Sequence, residues 1–263
     1  MELNIEVCRA AAVHHGLPLQ FVVKEFHVFE VLAQLAALTA HSTGFVFKGG
    51  TALNKVYLGE TQRFSEDLDF DLGVKGITEV GEYCREIAKK ISGYEITEFR
   101  RVRGTVQFYC VFNSPLGGKD HVRVDVAAKK ILAANPLEMK PAASAFTGSS
   151  VSGFRVYSLE DLTARKLHAL ATRAEGKDIF DVHNALPLCG KMAEAVKKML
   201  ESEGSRETPR EFVEKAIGRV EKADVRKLRN LTNPLIPSGN RPRDWAELKN
   251  DLSLRLEWLA EQV

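Results

Sequence analysis

Asp67, Asp69 and Asp71 alternate with Leu68, Phe70 and Leu72, and Asp125 stands in a second alternating stretch, His121-Val122-Arg123-Val124-Asp125-Val126. On a β-strand successive side chains point to opposite faces, so each stretch sends its apolar residues into a core and its acids to the other side. Three like charges on one strand face repel unless a cation offsets them, and the natural partner of oxygen ligands is a hard divalent ion. Phosphoryl transfer on Mg²⁺ uses a few carboxylates together with substrate phosphates and water, and two ions can stabilise both the attacking and the leaving oxygen. Asp67 and Asp69 are therefore expected to ligate metal. Asp125 is expected to be the third acid, either as a ligand or as the base for an incoming hydroxyl.

Just upstream, Gly44-Phe45-Val46-Phe47 reads as a short buried strand running into Lys48-Gly49-Gly50-Thr51. A diglycine lets backbone come close to a phosphate, and the free amides opening the next helix would offer the positive end of its dipole. Thr51 is expected to cap that helix, Ala52, Leu53 and Val56 to form its apolar face, and Gly59 to end it. Taken singly, a diglycine turn is usually structural and an acidic alternation is often a solvated edge. Side by side they specify a phosphate site far better than either does. Ser65 is placed to bond a terminal phosphate, and Arg63 is read as a phosphate clamp or as the partner of Asp67 or Glu66.

The elements that must position these residues follow from periodicity. An apolar run over 21–40 is interrupted by Lys24, Glu25, His27, Glu30 and Gln34, which makes it an amphipathic helix and excludes a membrane span. Residues 79–92 read as helix, and 106–112 with 121–126 as a hairpin joined by a turn carrying Pro115, Gly117 and Gly118. The stretch 136–153, rich in Ala, Ser, Gly and Pro, is the candidate connection between two parts. Beyond it, Ser158 and Asp161 resemble a capping box opening a helix to about Arg173, and a second helix starts near Asp178. Further helices fit 190–202, 208–230 and 243–261, with an irregular break over 233–242. The expected fold is α/β (α+β): a part spanning 1–150 with a mixed sheet and N-terminal helices, a mainly helical part spanning 151–263, and an active cleft between them.

Composition sets the outer limits. A chain of 263 residues with 44% hydrophobic content can bury one elaborated domain or two modest ones. Cys8, Cys84, Cys110 and Cys189 lie far apart with no CxxC pair, so neither a zinc cage nor a disulfide framework is indicated and a reducing cytoplasm fits best. Glu6, Arg9, His14 and His15 interrupt the first apolar positions, unlike an export signal. The net charge of +2 creates no long-range field, but from Arg206 to Arg243 ten Lys or Arg stand against five Asp or Glu. That excess suits a polyanionic partner, or else forms an ion-paired helical surface.

Lys48-Gly49-Gly50-Thr51-Ala52-Leu53, followed by Arg63-Phe64-Ser65-Glu66-Asp67-Leu68-Asp69-Phe70, closely resembles the first motif of the AbiEii/AbiGii-type (MenT-like) nucleotidyltransferases. These are toxins of type IV toxin-antitoxin and abortive-infection systems within the DNA polymerase β-type superfamily. Lys166-Leu167-His168-Ala169-Leu170, Arg173 and Lys177-Asp178-Ile179-Phe180-Asp181 resemble the second signature of that family, so the resemblance spans roughly 44–185. It implies a polymerase β-like core, Mg²⁺ or Mn²⁺ on Asp67 and Asp69, and nucleotide phosphates at Lys48, Gly49, Gly50 and Thr51. It also implies that Lys166, with Asp181 or Asp178, is needed for activity. Thr163, Lys166, Leu170 and Arg173 fall along one helical stripe, an arrangement that would suit a triphosphate, and Asp178 and Asp181 share a helix face. A lysine in mid-helix is otherwise usually a surface residue. His168 is read as a packing or solvent-facing residue, because no second histidine stands at ligand spacing.

Three activities remain open from sequence. The first, implied by the resemblance, is transfer of a nucleoside monophosphate from an NTP to an RNA hydroxyl such as the tRNA 3′ end, with pyrophosphate leaving, by a toxin with a cognate antitoxin. The second keeps the chemistry but gives a protein or small molecule as acceptor. The third is an NTP-binding or antitoxin-binding module without chemistry, against which stands the presence of Asp67, Asp69, Asp125 and Lys166 together.

Overall fold

The computed structural model describes residues 3–74 and 76–263, which fold into two compact units. The first unit runs to Ile131 and resumes over Glu138–Val156; the second comprises Leu132–Leu137 and Tyr157–Val263. No helix among the described residues is long and apolar enough to cross a membrane.

The first unit opens with α1 (Ile5–His15), whose N-terminal amides are capped by the Asn4 side chain, and α2 (Leu19–Thr39). There follow β1 (Phe45–Lys48), the short helix α3 (Gly49–Ala52) widening into a π turn over Leu53–Tyr57, β2 (Leu68–Leu72) and α4 (Ile77–Ala88). The chain then forms β3 (Glu95–Val102), β4 (Thr105–Asn113) and β5 (Lys119–Ala128), and ends in three two-residue strands, β6 (Ala142–Ala143), β7 (Ser150–Val151) and β8 (Arg155–Val156). Six strands form one mixed sheet in the order β3-β4-β5-β2-β1-β8. β2 runs parallel to β5 and β1 parallel to β8, while the other pairs are antiparallel.

Alternation divides this sheet into two faces. Phe47, Leu68, Phe70, Val106, Phe108, Val124 and Val126 are buried on one of them. Register aligns the other, where Arg100, Gln107, Asp125, Asp69 and Lys48 are successive partners across β3, β4, β5, β2 and β1. Because cross-strand partners share a face, the burial of the phenylalanines and valines fixes the direction of the acids. β3 was not legible as a strand: most of its residues are exposed at the sheet edge, so it lacks the alternation of a half-buried strand. The segment 138–156 is more than a connection. Its hairpin and the pairing of Glu138 with Val156 make it part of the first unit, whereas 132–137 joins the second through bonds from the Ala134 and Asn135 amides to the Asp161 carboxylate.

The second unit packs α5 (Leu159–Arg173), α6 (Gly176–Ala185), α7 (Ala193–Glu203), α8 (Pro209–Glu221), α9 (Val225–Thr232) and α10 (Trp245–Ala260) around a common core. Leu167, Leu170, Ile179, Val196, Phe212 and Leu252 meet there. Ser158 caps α5, and Thr208 with Glu211 forms a full capping box at α8. The single helix expected over 208–230 is two, because the Asp224 side chain accepts the Lys227 amide and starts α9 afresh.

Candidate active site

Asp69 and Asp125 are direct partners across the parallel β2–β5 pair, with Lys48 beyond Asp69 on β1 and Gln107 beyond Asp125 on β4. These four side chains border a small pocket completed by Val102, Thr105 and Ala127. Asp125 is 9% exposed and its Oδ1 has no hydrogen-bond partner, an unsatisfied anionic oxygen of the sort a cation would claim. Asp71, on the same face, is buried and paired with Lys48 at 2.5 Å. Asp67 lies just before β2 and is held by Arg123, whose Nη2 stands 2.6 Å from Asp67 Oδ2 and whose Nε stands 3.2 Å from Asp125 Oδ2.

The electrostatics record a shortage of positive charge. Burial raises the Asp69 carboxyl to about 6; Lys48 opposes the rise and repulsion from Asp125 and Asp67 adds to it. Burial likewise lifts Asp125 above the ordinary carboxylate range, against the pull of Arg123. Lys48 pairs with Asp71, and Arg123 bridges Asp67 and Asp125, so Asp69 shares its face with three other carboxylates.

The diglycine bend serves this cluster through close approach. Gly49 has φ +80°, and a Cβ there would stand 2.8 Å from the Asp69 Cβ and overlap its carboxylate. The helix begins at Gly49, so Thr51 lies inside it instead of capping it. The Thr51 hydroxyl donates to the Asp67 carbonyl at 2.5 Å and lies 2.8 Å from Ser65 Oγ, which pins the loop entering β2. Asn54 adds a second brace, accepting from the Arg63 amide and donating to the Gly50 carbonyl. Thr51 and Arg63 are therefore interior, at 1% and 3% exposure, and a direct phosphate contact from either is not what the geometry provides. The Arg63 guanidinium donates to the Phe64 carbonyl. Ser65, Lys48 and Gly50 stay partly exposed.

The remaining expected residues lie in the second unit. Lys166 on α5 is 8% exposed, with Nζ 2.7 Å from Asp178 Oδ1 and 2.9 Å from Asp181 Oδ2, both on α6 and both fully buried. Arg173 at the end of α5 makes a forked contact with Asp178, Nε to Oδ2 at 2.8 Å and Nη2 to Oδ1 at 3.1 Å. Burial would raise the Asp178 carboxyl, but the Arg173 fork and Lys166 outweigh it and hold the acid well below the usual range. The stripe expected to offer two cations to a triphosphate thus runs into the core: Thr163 and Leu170 are fully buried and Lys166 is enclosed, while Arg173 reaches solvent. His168 stacks against Phe212, as a packing residue would.

Over residues 30–260 the chain matches the family model described as nucleotidyl transferase AbiEii toxin, type IV TA system. The chain belongs to the AbiEii nucleotidyltransferase toxin family. Membership makes it a nucleotidyltransferase with an NTP substrate and implies an antitoxin counterpart. Its fold is similar to that of MenT4, a nucleotidyltransferase toxin from Mycobacterium tuberculosis, at a TM-score of 0.62 and 18% identity over 98% of this chain and 89% of that one. JHP933 from Helicobacter pylori aligns at a TM-score of 0.54 and 18% identity over 93% of this chain and 94% of that one. No curated protein matches the chain in sequence.

AbiEii-family nucleotidyltransferases usually employ a divalent metal, and the donor set tests whether this chain fits one. Among the described residues no three His, Cys, Asp or Glu side chains stand as a ready metal cage. Asp67 lies beside the other two acids and is bonded to Arg123, which also reaches Asp125. Asp69 and Asp125 do fit: Mg²⁺ is commonly held by one or two carboxylates, with substrate phosphates and water completing the shell. Sequence reasoning missed Arg123 and Gln107. The signal for Arg123 lies in the alternation itself, since it stands two residues before Asp125 and so shares its face.

Proposed function

We propose that this AbiEii-family enzyme transfers a nucleoside monophosphate from a Mg²⁺- or Mn²⁺-bound NTP to a hydroxyl of RNA, the tRNA 3′ end being the favoured acceptor, and releases pyrophosphate. The observation that carries the reading is the Asp69–Asp125 pair: two carboxylates in register on adjacent strands, one with an unsatisfied buried oxygen, beside backbone kept bare by Gly49. When bound, the metal supplies charge neutralisation of the triphosphate and polarisation of the α-phosphate.

The chain's own residues supply position and proton transfer. Asp69 and Asp125 would hold the ion, and Asp125, in register beside Asp69, stands to accept the proton of the attacking hydroxyl. The Gly49-Gly50 backbone and the partly exposed Ser65 contact phosphate oxygens, and Lys48 offsets charge beside the pocket. Thr51 and Arg63 act indirectly by bracing the 63–67 loop. In the second unit Lys166, Asp178 and Asp181 form a buried charge cluster, and Asp178 also holds Arg173, whose side chain is partly exposed.

RNA is favoured over a protein or small-molecule acceptor by a groove of the second unit between the start of α6 and α8–α9. Arg173, Lys177, Arg219, Lys222 and Lys227 line it against Glu175 and Asp224. Among the described residues Arg219, Lys222 and Lys227 make no ion pair, so their charge is available to a phosphate backbone. The test is incubation with each α-labelled NTP in the presence of separate pools of RNA and protein. Label entering RNA with wild type and not with Asp69→Asn supports the reading; label entering protein alone would replace the acceptor, and no metal-dependent transfer into any pool would remove the activity.

A further inference from the structure

Arg123 is unassigned, yet its geometry singles it out. It leaves β5 on the acidic face, contacts Asp67 through Nη2 at 2.6 Å, and reaches Asp125 through Nε at 3.2 Å. Nε is buried with no hydrogen-bond partner, as is Asp125 Oδ1, so the guanidinium is well bonded at the Asp67 end and held by charge alone at the other. Its side chain is 35% exposed, which leaves room to swing outward. A single positive charge in this position meets only part of the demand of the surrounding carboxylates.

We infer that Arg123 is an internal counter-cation that occupies the acidic face while no divalent ion is bound and moves onto the phosphates of the nucleotide when the ion enters. The inference rests on the metal reading of Asp69 and Asp125. A divalent ion brings twice the charge and displaces the tethered guanidinium, whose planar fork matches the phosphate oxygens that arrive with the ion. Metal alone must compete with Arg123; metal with nucleotide gives Arg123 a new partner. The two ligands therefore bind cooperatively, each raising the affinity of the other by the same factor.

The experiment measures Mn²⁺ binding to the metal-free full chain from the loss of the paramagnetic resonance signal of free Mn²⁺, with and without a non-hydrolysable NTP analogue. Arg123→Gln is expected to bind Mn²⁺ alone about threefold to tenfold more tightly than wild type, from the loss of partly exposed pairs, and to show a smaller enhancement by the analogue than wild type once Mn²⁺ held by the analogue in protein-free solution is subtracted. Arg123→Lys, a point charge without the fork, should fall between them. An arginine that merely braces the strand would instead leave both variants weaker in Mn²⁺ binding. Equal or weaker binding in Arg123→Gln overturns the inference; should that variant fail to fold by circular dichroism, Arg123→Lys decides by the same criterion. Wild-type binding that Asp69→Asn does not weaken removes the metal reading itself, whereas Asp69-dependent binding indifferent to Arg123 removes this inference alone.

Discussion

Replacing Asp69 by Asn should abolish nucleotidyl transfer and at the same time make the metal-free protein more stable. The carboxyl is raised from 3.8 to about 6, chiefly by burial. That displacement corresponds to about 3 kcal/mol against the ionised form in the folded state. Partial exposure reduces the figure, so about 1–2 kcal/mol is expected in practice. The sign follows from proton uptake: between pH 4 and 6 the folded protein holds the Asp69 proton while the unfolded chain has released it, so wild-type stability falls as pH rises through that window and levels off above it. Asn carries no such dependence, and the substitution strands no cation because Lys48 keeps its pairing with Asp71. Thermal unfolding in chelator should place Asp69→Asn above wild type by a few degrees at pH 8, at about 2–4 °C per kcal/mol, with the gap closing towards pH 4. A variant less stable than wild type at pH 8, or a gap independent of pH, would refute the reasoning that Asp69 is held in strain awaiting a cation.

Other residues give separate tests. Lys166→Met leaves Asp178 and Asp181 buried without their shared cation and should cost about 3–5 kcal/mol, read as a lowered denaturant midpoint. Gly49→Ala forces a side chain into the left-handed region and against the Asp69 carboxylate, so it should destabilise by about 1–3 kcal/mol and lower transfer more than it lowers RNA binding. The triple change of Arg219, Lys222 and Lys227 to Gln should weaken RNA binding and reduce the slope of log affinity against log salt by about three, while the melting temperature stays close to wild type.

Much of the first unit was legible because one face of the sheet is packed with large apolar side chains at alternate positions. Leu68, Phe70, Val124 and Val126 could enter a core in one register, and that register alone aims Asp69 and Asp125 to the same side. What stayed hidden depended on contacts distant in sequence. Nothing near Thr51 announces that its hydroxyl is taken by the Asp67 carbonyl, and the burial of Arg63 follows from the fold of the whole loop. Lys166 looked like one of two outward cations because helical spacing places it in line with Arg173; the neighbouring α6, which brings Asp178 and Asp181 against it, turns the same stripe inward. The 208–230 helix ran too long because its apolar period continues past Asp224, where a single side-chain cap restarts the helix.

The claim on which the rest depends is that Asp69 and Asp125 jointly hold a divalent ion in the nucleotide complex. A crystal structure with Mn²⁺ and a non-hydrolysable NTP analogue, with anomalous scattering to locate the ion, tests it directly. The account predicts one Mn²⁺ in bonding contact with both carboxylates, at roughly the 2.1 Å of octahedral oxygen ligation. An ion bound without either carboxylate, with Arg123 still between Asp67 and Asp125, would contradict it.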